Sequence, residues 1–150
     1  MAIGDAITGG CACGAVRWRA VDRGFRPYAC HCKGCQTRQG SAFALNQQVL
    51  VADLVTEGAP IEGTCTGSQS ATVTHVACPS CMTRLYTINH ERPEIATIRT
   101  GTRDDSPDLV PAFHVWTSRK QPWIALPDDV PQLETQPATR EEWMALVLPA

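Results

Sequence analysis

Seven of the eight cysteines fall into three short groups, Cys11-x-Cys13, Cys30-x-Cys32-x-x-Cys35 and Cys78-x-x-Cys81. Thiolates at these spacings are metal ligands, and seven of them divide into a set of four and a set of three. A structural zinc takes four ligands in a closed tetrahedron, whereas a zinc that does chemistry keeps three and leaves the fourth position for water or substrate. Cys-x-Cys sets both side chains on one face of an extended segment, while a disulfide across a single residue would close a strained ring. In Cys32-Lys33-Gly34-Cys35 the glycine suits a tight turn round an ion, and Cys78-Pro79-Ser80-Cys81 has the same length. Neither Cys-x-x-Cys opens the apolar-periodic helix that a thioredoxin-like dithiol requires. The first ten residues carry neither the basic nor the apolar region of a signal peptide, so a reducing, cytoplasmic compartment is expected and disulfides are disfavoured.

Spacing leaves the pairing of the groups open. Cys32/Cys35 could join Cys78/Cys81 in a ribbon-like site, although the interval between them is long for that pattern. Alternatively Cys11/Cys13 joins Cys78/Cys81 and leaves Cys30, Cys32 and Cys35 as a compact trio; this arrangement is preferred because the trio can fill three positions of one ion by itself. An open three-thiolate zinc can take an incoming thiol, hold it ionised near neutral pH and present a sulfur nucleophile to an electrophilic carbonyl. Water there would support hydrolysis or deamination. Three thiolates donate much charge and favour the thiol, and a deaminase would need His-x-Glu ahead of Pro-Cys-x-x-Cys, which the chain lacks.

Residues around these groups have two readings each. His31 lies between two cysteines and should point away from them in an extended Cys-x-Cys, which favours packing or hydrogen bonding over ligation. Cys65 could supply a fourth ligand, but the ordinary role of a lone cysteine is as a small loop or core residue. His75 reads as a strand histidine. Lys33, Gln36 and Arg38 stand close enough to the trio to meet carboxylates of a bound ligand, with surface solvation as the plain alternative. Asp104 and Asp105 read as a turn pair rather than proton carriers. His114 and Trp116 are expected to share one strand face, and Trp123, after Pro122, to anchor the C-terminal connector. No catalytic residue is assigned.

The elements that must position these groups are short alternating or β-branched runs separated by glycine, proline and small polar residues, the pattern of a mainly β, many-stranded antiparallel fold. Strands are expected at residues 15–20, 42–51, 71–77, 84–88, 95–100 and 112–118, with turns such as those at 57–60, 65–68 and 101–107. Residues 127–137 read as an extended connector. Thr139 and Glu142 have capping-box spacing before a short C-terminal helix through residue 147. At 150 residues a β domain over 1–131 with a C-terminal extension over 132–150 is the simplest division. A net charge of −2 gives no footprint for nucleic acid, and no apolar run reaches the roughly 18 residues of a membrane span.

Gly9-Gly10-Cys11-Ala12-Cys13-Gly14, then Cys30-His31-Cys32-Lys33-Gly34-Cys35-Gln36 with Gly40-Ser41-Ala42-Phe43, then Cys78-Pro79-Ser80-Cys81 resembles the glutathione-dependent formaldehyde-activating enzyme and centromere protein V family. The likeness continues through Gly101-Thr102-Arg103-Asp104-Asp105, Pro111 to Trp116 and Pro122-Trp123. It implies an Mss4-like fold of small antiparallel sheets. It further implies a structural zinc on Cys11, Cys13, Cys78 and Cys81, and a second, substrate-side zinc on Cys30, Cys32 and Cys35. The implied activity is that of a carbon–sulfur lyase that joins glutathione to formaldehyde as S-hydroxymethylglutathione, or the reverse. The alternative is a non-enzymatic, zinc-stabilised module that binds a thiol or a protein. One departure stands out: the family has glycine after its last zinc cysteine, and this chain has Met82, which would be strained if the position needs positive φ.

Overall fold

Period-2 alternation builds the first layer. In β1 (Ala6–Gly10) Ile7 and Gly9 face inward, and in β2 (Arg17–Val21) Trp18 and Ala20 do so while Arg17 and Arg19 face solvent. The computed structural model describes residues 2–67 and 70–149. The chain continues through β3 (Tyr28–Cys30), α1 (Lys33–Gln39), β4 (Ala44–Leu50), β5 (Val55–Glu57), β6 (Ile61–Thr66), β7 (Thr72–Ala77), β8 (Arg84–Asn89), β9 (Ile95–Arg99), β10 (His114–Val115) and α2 (Arg140–Val147). Strands β1, β2 and β5 form a three-stranded antiparallel sheet. The other seven form a sheet of order β10-β3-β4-β9-β8-β7-β6, antiparallel except for the β10–β3 pair.

Two apolar cores result. The first gathers Ile7, Val16, Trp18, Val49, Leu85 and Ile98 between the sheets, with Cys11 and Cys78 at its margin. Close approach there requires Gly9, where a Cβ would lie 2.3 Å from the Thr102 carbonyl oxygen and within contact of the Trp18 ring. The second core packs Tyr28 on Phe113, ring centroids 5.0 Å apart and nearly parallel, with Trp143 of α2 edge-on to both. Cys30 and Cys32 border this second core. Helix α2 begins at the expected capping box: the Glu142 N–H donates to Thr139 Oγ1 at 3.2 Å, and the Thr139 N–H to Glu142 Oε2 at 3.4 Å.

The fold is mainly β with antiparallel sheets and a short C-terminal helix, as expected, but several expectations change in detail. Strands β1, β3, β5 and β6 and helix α1 were not anticipated; each is short, and β6 is almost wholly exposed, so none carries a long periodic signal. Residues 65–68 were expected to turn, yet Cys65 and Thr66 belong to β6, paired with Val73 and Thr72; Ser68 lies outside the described residues. The strand expected over 112–118 shrinks to β10, because Trp116 adopts a left-handed conformation (φ 58°) and leads into a 3-10 turn at Thr117–Arg119. His114 and Trp116 therefore do not share a strand face. Trp123 anchors nothing: it is 75 % exposed, its indole N–H bonded to Gln121 Oε1. The connector after Pro127 lies along β10 through the Leu133 N–H to the His114 carbonyl and the His114 N–H to the Pro131 carbonyl, both at 2.9 Å. Among the described residues no helix is long and apolar enough to cross a membrane.

Candidate metal centres and the adjoining cavity

Cys11 and Cys13 sit in the turn from β1 to β2, and Cys78 and Cys81 in the turn from β7 to β8. The two turns are laced together by the Ala12 N–H donating to Thr83 Oγ1 at 3.1 Å. The four Sγ atoms lie within 4.8 Å of one another, with Cys11–Cys13 at 3.6 Å and Cys13–Cys78 at 3.8 Å. A tetrahedron with Zn–S bonds of about 2.3 Å has edges of about 3.8 Å, so the donor set fits an ion of that size. Negative charge on sulfur is supported by the surroundings: the Val16 N–H donates to Cys11 Sγ at 3.2 Å. Bonds from the Thr83 hydroxyl and backbone bring the Cys81 thiol down to about 5. The Met82 N–H closes the second turn onto the Cys78 carbonyl at 2.9 Å and forces Met82 to φ 60°. The strain that the sequence made conditional on positive φ is thus present, and the side chain is turned outward into solvent.

The second group comes from consecutive elements. Cys30 ends β3, Cys32 is the N-cap of α1, and Cys35 lies in its first turn. Cys32 Sγ accepts from the Cys35 N–H at 3.3 Å. Gly34 is helical rather than left-handed, so the expected glycine turn is replaced by a helix start. The three Sγ atoms also lie within 4.8 Å of one another, and among the described residues no fourth histidine, cysteine or carboxylate joins them. Bonds from the Cys30 and Cys35 thiols lower the Cys32 thiol, and the same sharing, with burial, pushes Cys30 up. One thiolate therefore forms readily and the remaining protons are those an ion would displace.

The trio opens into a cavity of about 360 Å³ that Arg38, His75, Arg99, Trp116 and Trp143 also line. That volume falls in the range of small-molecule sites. The four-cysteine group does not line it.

The other singled-out residues separate cleanly. His31 is fully buried and turned from the trio, its Nε2 3.0 Å from His114 Nδ1 and its ring against Phe43. Burial, then the neighbouring His114 and Lys120, lowers it to about 4, and burial lowers His114 as well, so both are neutral at physiological pH. Cys65 Sγ lies 3.1 Å from His75 Nε2, whose Nδ1 accepts from Arg84 at 2.7 Å; neither residue joins the trio's sulfurs. Gln36 is buried and its amide donates to the His31 and Arg119 carbonyls, which makes it a brace of α1. Lys33 is exposed and off the cavity, whereas Arg38 reaches it. Asp104 pairs with Arg17, and Asp105 with the buried Arg103, which also donates to Gln47. Arg99 and Trp143 escaped the sequence reading: they are more than forty residues apart and meet the trio only through the sheet and the second core.

A family model described as glutathione-dependent formaldehyde-activating enzyme matches residues 6–119. No curated protein matches the chain. Among solved structures, a crystal structure of a Rhodobacter sphaeroides protein from a structural genomics programme is similar, with a TM-score of 0.52 and 20% sequence identity over 69% of this chain and 97% of that one. That likeness concerns the fold. With both cysteine groups inside the matched span, the chain belongs to the glutathione-dependent formaldehyde-activating enzyme family.

Proposed function

We propose that the protein is a carbon–sulfur lyase of the glutathione-dependent formaldehyde-activating type, acting on S-hydroxymethyl adducts of glutathione or a related small thiol. In this reading Cys11, Cys13, Cys78 and Cys81 hold a structural zinc, and Cys30, Cys32 and Cys35 hold a second one on the substrate side. The observation that carries it is the contrast between the groups: four sulfurs lie close together outside the cavity lining, and three sulfurs, joined among the described residues by no fourth histidine, cysteine or carboxylate, line it. A zinc held by Cys30, Cys32 and Cys35 would supply the Lewis acidity that keeps an incoming thiol ionised near neutral pH.

The chain's own residues do the positioning. The cap bond from Cys35 to Cys32 and the His31–His114 pair fix the trio against β3, α1 and β10. Arg38 and Arg99 give the cavity a positive field that draws an anionic thiol. Trp116 adds apolar surface to the cavity lining, its indole N–H bonded to Gln136 Oε1. In the synthetic direction the thiol gives up its proton, the sulfur lone pair forms the C–S bond to the carbonyl carbon, the C=O π pair moves to oxygen, and that oxygen takes up one proton in place of the one released, so that no net proton is consumed; cleavage is the reverse. The reading of the chain as a closed, non-enzymatic module loses support because His31 and Cys65, the candidates to complete the trio, are engaged with His114 and His75 instead.

The test is the rate of glutathione–formaldehyde adduct exchange, followed by NMR, with zinc-loaded protein and with Cys32→Ser. Exchange above background that vanishes in the variant is expected. A background rate with intact protein would overturn this substrate pair.

A further inference from the structure

Cys65 belongs to neither cysteine group, yet it is one of three side chains joined in line. Its Sγ lies 3.1 Å from His75 Nε2, and the other ring nitrogen, Nδ1, lies 2.7 Å from an Nη of Arg84. A guanidinium can only donate. Nδ1 is therefore the acceptor, the ring hydrogen sits on Nε2, and the second bond runs from Nε2–H to the sulfur. Burial, then Arg84, Arg99 and Arg38, holds His75 well below the ordinary histidine value and so keeps this neutral tautomer in place. Among the described residues none of these three arginines is in an ion pair. A sulfur that accepts an oriented N–H amid unpaired guanidinium groups is supported as a nucleophile.

The sheet brings the three side chains together. Strand β6 is the outer strand, and in it Cys65 pairs with Val73 and Gly63 with His75, so Cys65 and His75 are diagonal neighbours on one face. The register shift between Val76 and Ala77 sets Arg84, rather than Leu85, opposite Ala77 and so brings Arg84 to His75. Val73 and His75, with their partners Asn89 and Thr87, line the trio's cavity on that face, which places Cys65 one strand beyond its floor. Approach to the half-buried sulfur is open along β6, because a Cβ at Gly63 would meet nothing within 4 Å.

We infer that Cys65 is a modification site that forms mixed disulfides with small organic disulfides, with His75 and Arg84 as its positioning residues. The tautomer selects the reaction. With Nε2 protonated and Nδ1 taken by Arg84, His75 is not free to act as the base that amide or ester cleavage requires. A disulfide needs no such help, because its leaving group departs as a thiolate. Cys65 gives up its proton and its sulfur bonds to one sulfur of the disulfide. The S–S bond breaks, its electron pair leaves on the other sulfur, and that thiolate takes up one proton. A thiol and a disulfide are consumed, and a thiol and a mixed disulfide are formed. The site is separate from the seven grouped cysteines and does not depend on the reading of the trio.

The experiment exposes the zinc-loaded full chain to bis(2-hydroxyethyl) disulfide, a neutral probe that reports the sulfur rather than attraction of charge. Peptide mass mapping locates the adduct and gives its rate of formation, with N-acetylcysteine as the free-thiol reference. Cys65 is expected to react about tenfold faster than the reference at neutral pH. Cys65→Ser should lose that adduct. His75→Leu, which removes the donor, should bring the rate down to that of the reference, and His75→Gln, whose amide can still donate, should restore most of it. A rate on Cys65 at or below the reference, an adduct confined to the grouped cysteines, or the parent rate in His75→Leu overturns the inference. The rate on the parent chain decides by itself where His75→Leu does not fold.

Discussion

Met82 holds φ at 60° directly after the last cysteine of the four-sulfur group, with its side chain 63 % exposed and its N–H committed to Cys78. A left-handed residue with a Cβ costs roughly 1–2 kcal/mol, and glycine recovers part of that after its own entropic penalty of about 0.5–1 kcal/mol. Met82→Gly is therefore expected to raise stability by about 0.5–1 kcal/mol, read as a higher denaturant midpoint at unchanged metal content. Trp116 shows the same backbone conformation, but it is a residue of the cavity lining.

At the scale of elements the two cysteine groups do different work. The four-sulfur group ties the β1–β2 turn to the β7–β8 turn, and so one sheet to the other, across a sequence separation of 65 residues between Cys13 and Cys78. The trio joins only the end of β3 to the start of α1. A cross-link that closes a loop of tens of residues restricts the unfolded chain by roughly 4 kcal/mol, and a short one by much less. Chelation or Cys13→Ser is thus expected to lower the thermal midpoint strongly, while Cys32→Ser loses one metal equivalent and leaves the midpoint near that of the parent. Metal analysis beside thermal unfolding of the two variants checks this, and equal midpoints would remove the distinction between a structural and a substrate-side site.

For the whole molecule the half-buried His75 and the buried His114 set the response to acid. Burial first, then Arg84, Arg99 and Arg38, lowers His75 to about 4, and burial lowers His114. Unfolded histidine titrates near 6.5, so between about 6.5 and 4 the unfolded chain binds more protons and stability rises with pH. The stabilisation is full above 6.5 and is lost as pH falls through the folded value near 4. His75→Gln should flatten the pH dependence of the unfolding free energy over that window by about 2 kcal/mol. An unchanged slope would show that His75 is protonated without cost.

Much of the candidate chemistry was legible along the chain because metal-ligand spacing is local: Cys30, Cys32 and Cys35 lie within six residues, and their bond pattern follows from a strand end meeting a helix start. The capping box at Thr139 and the longer alternating strands are local in the same sense. The trio and the four-sulfur group were preferred partners in the sequence, but their assembly needs β1–β2 and β7–β8 to meet, which depends on packing between two sheets. Helix α1 and the brief strands β3, β5 and β10 lack the length for a periodic signal and are held by contacts with distant residues. Trp123 and Trp116 show the limit most plainly, since identical side chains in similar contexts end exposed in one case and on the cavity wall in the other. The sequence by itself determined which atoms can bind a metal. Only the tertiary structure decided what faces them, because Arg99, Arg140 and Trp143 converge on the trio through sheet pairing and aromatic packing that no local spacing encodes.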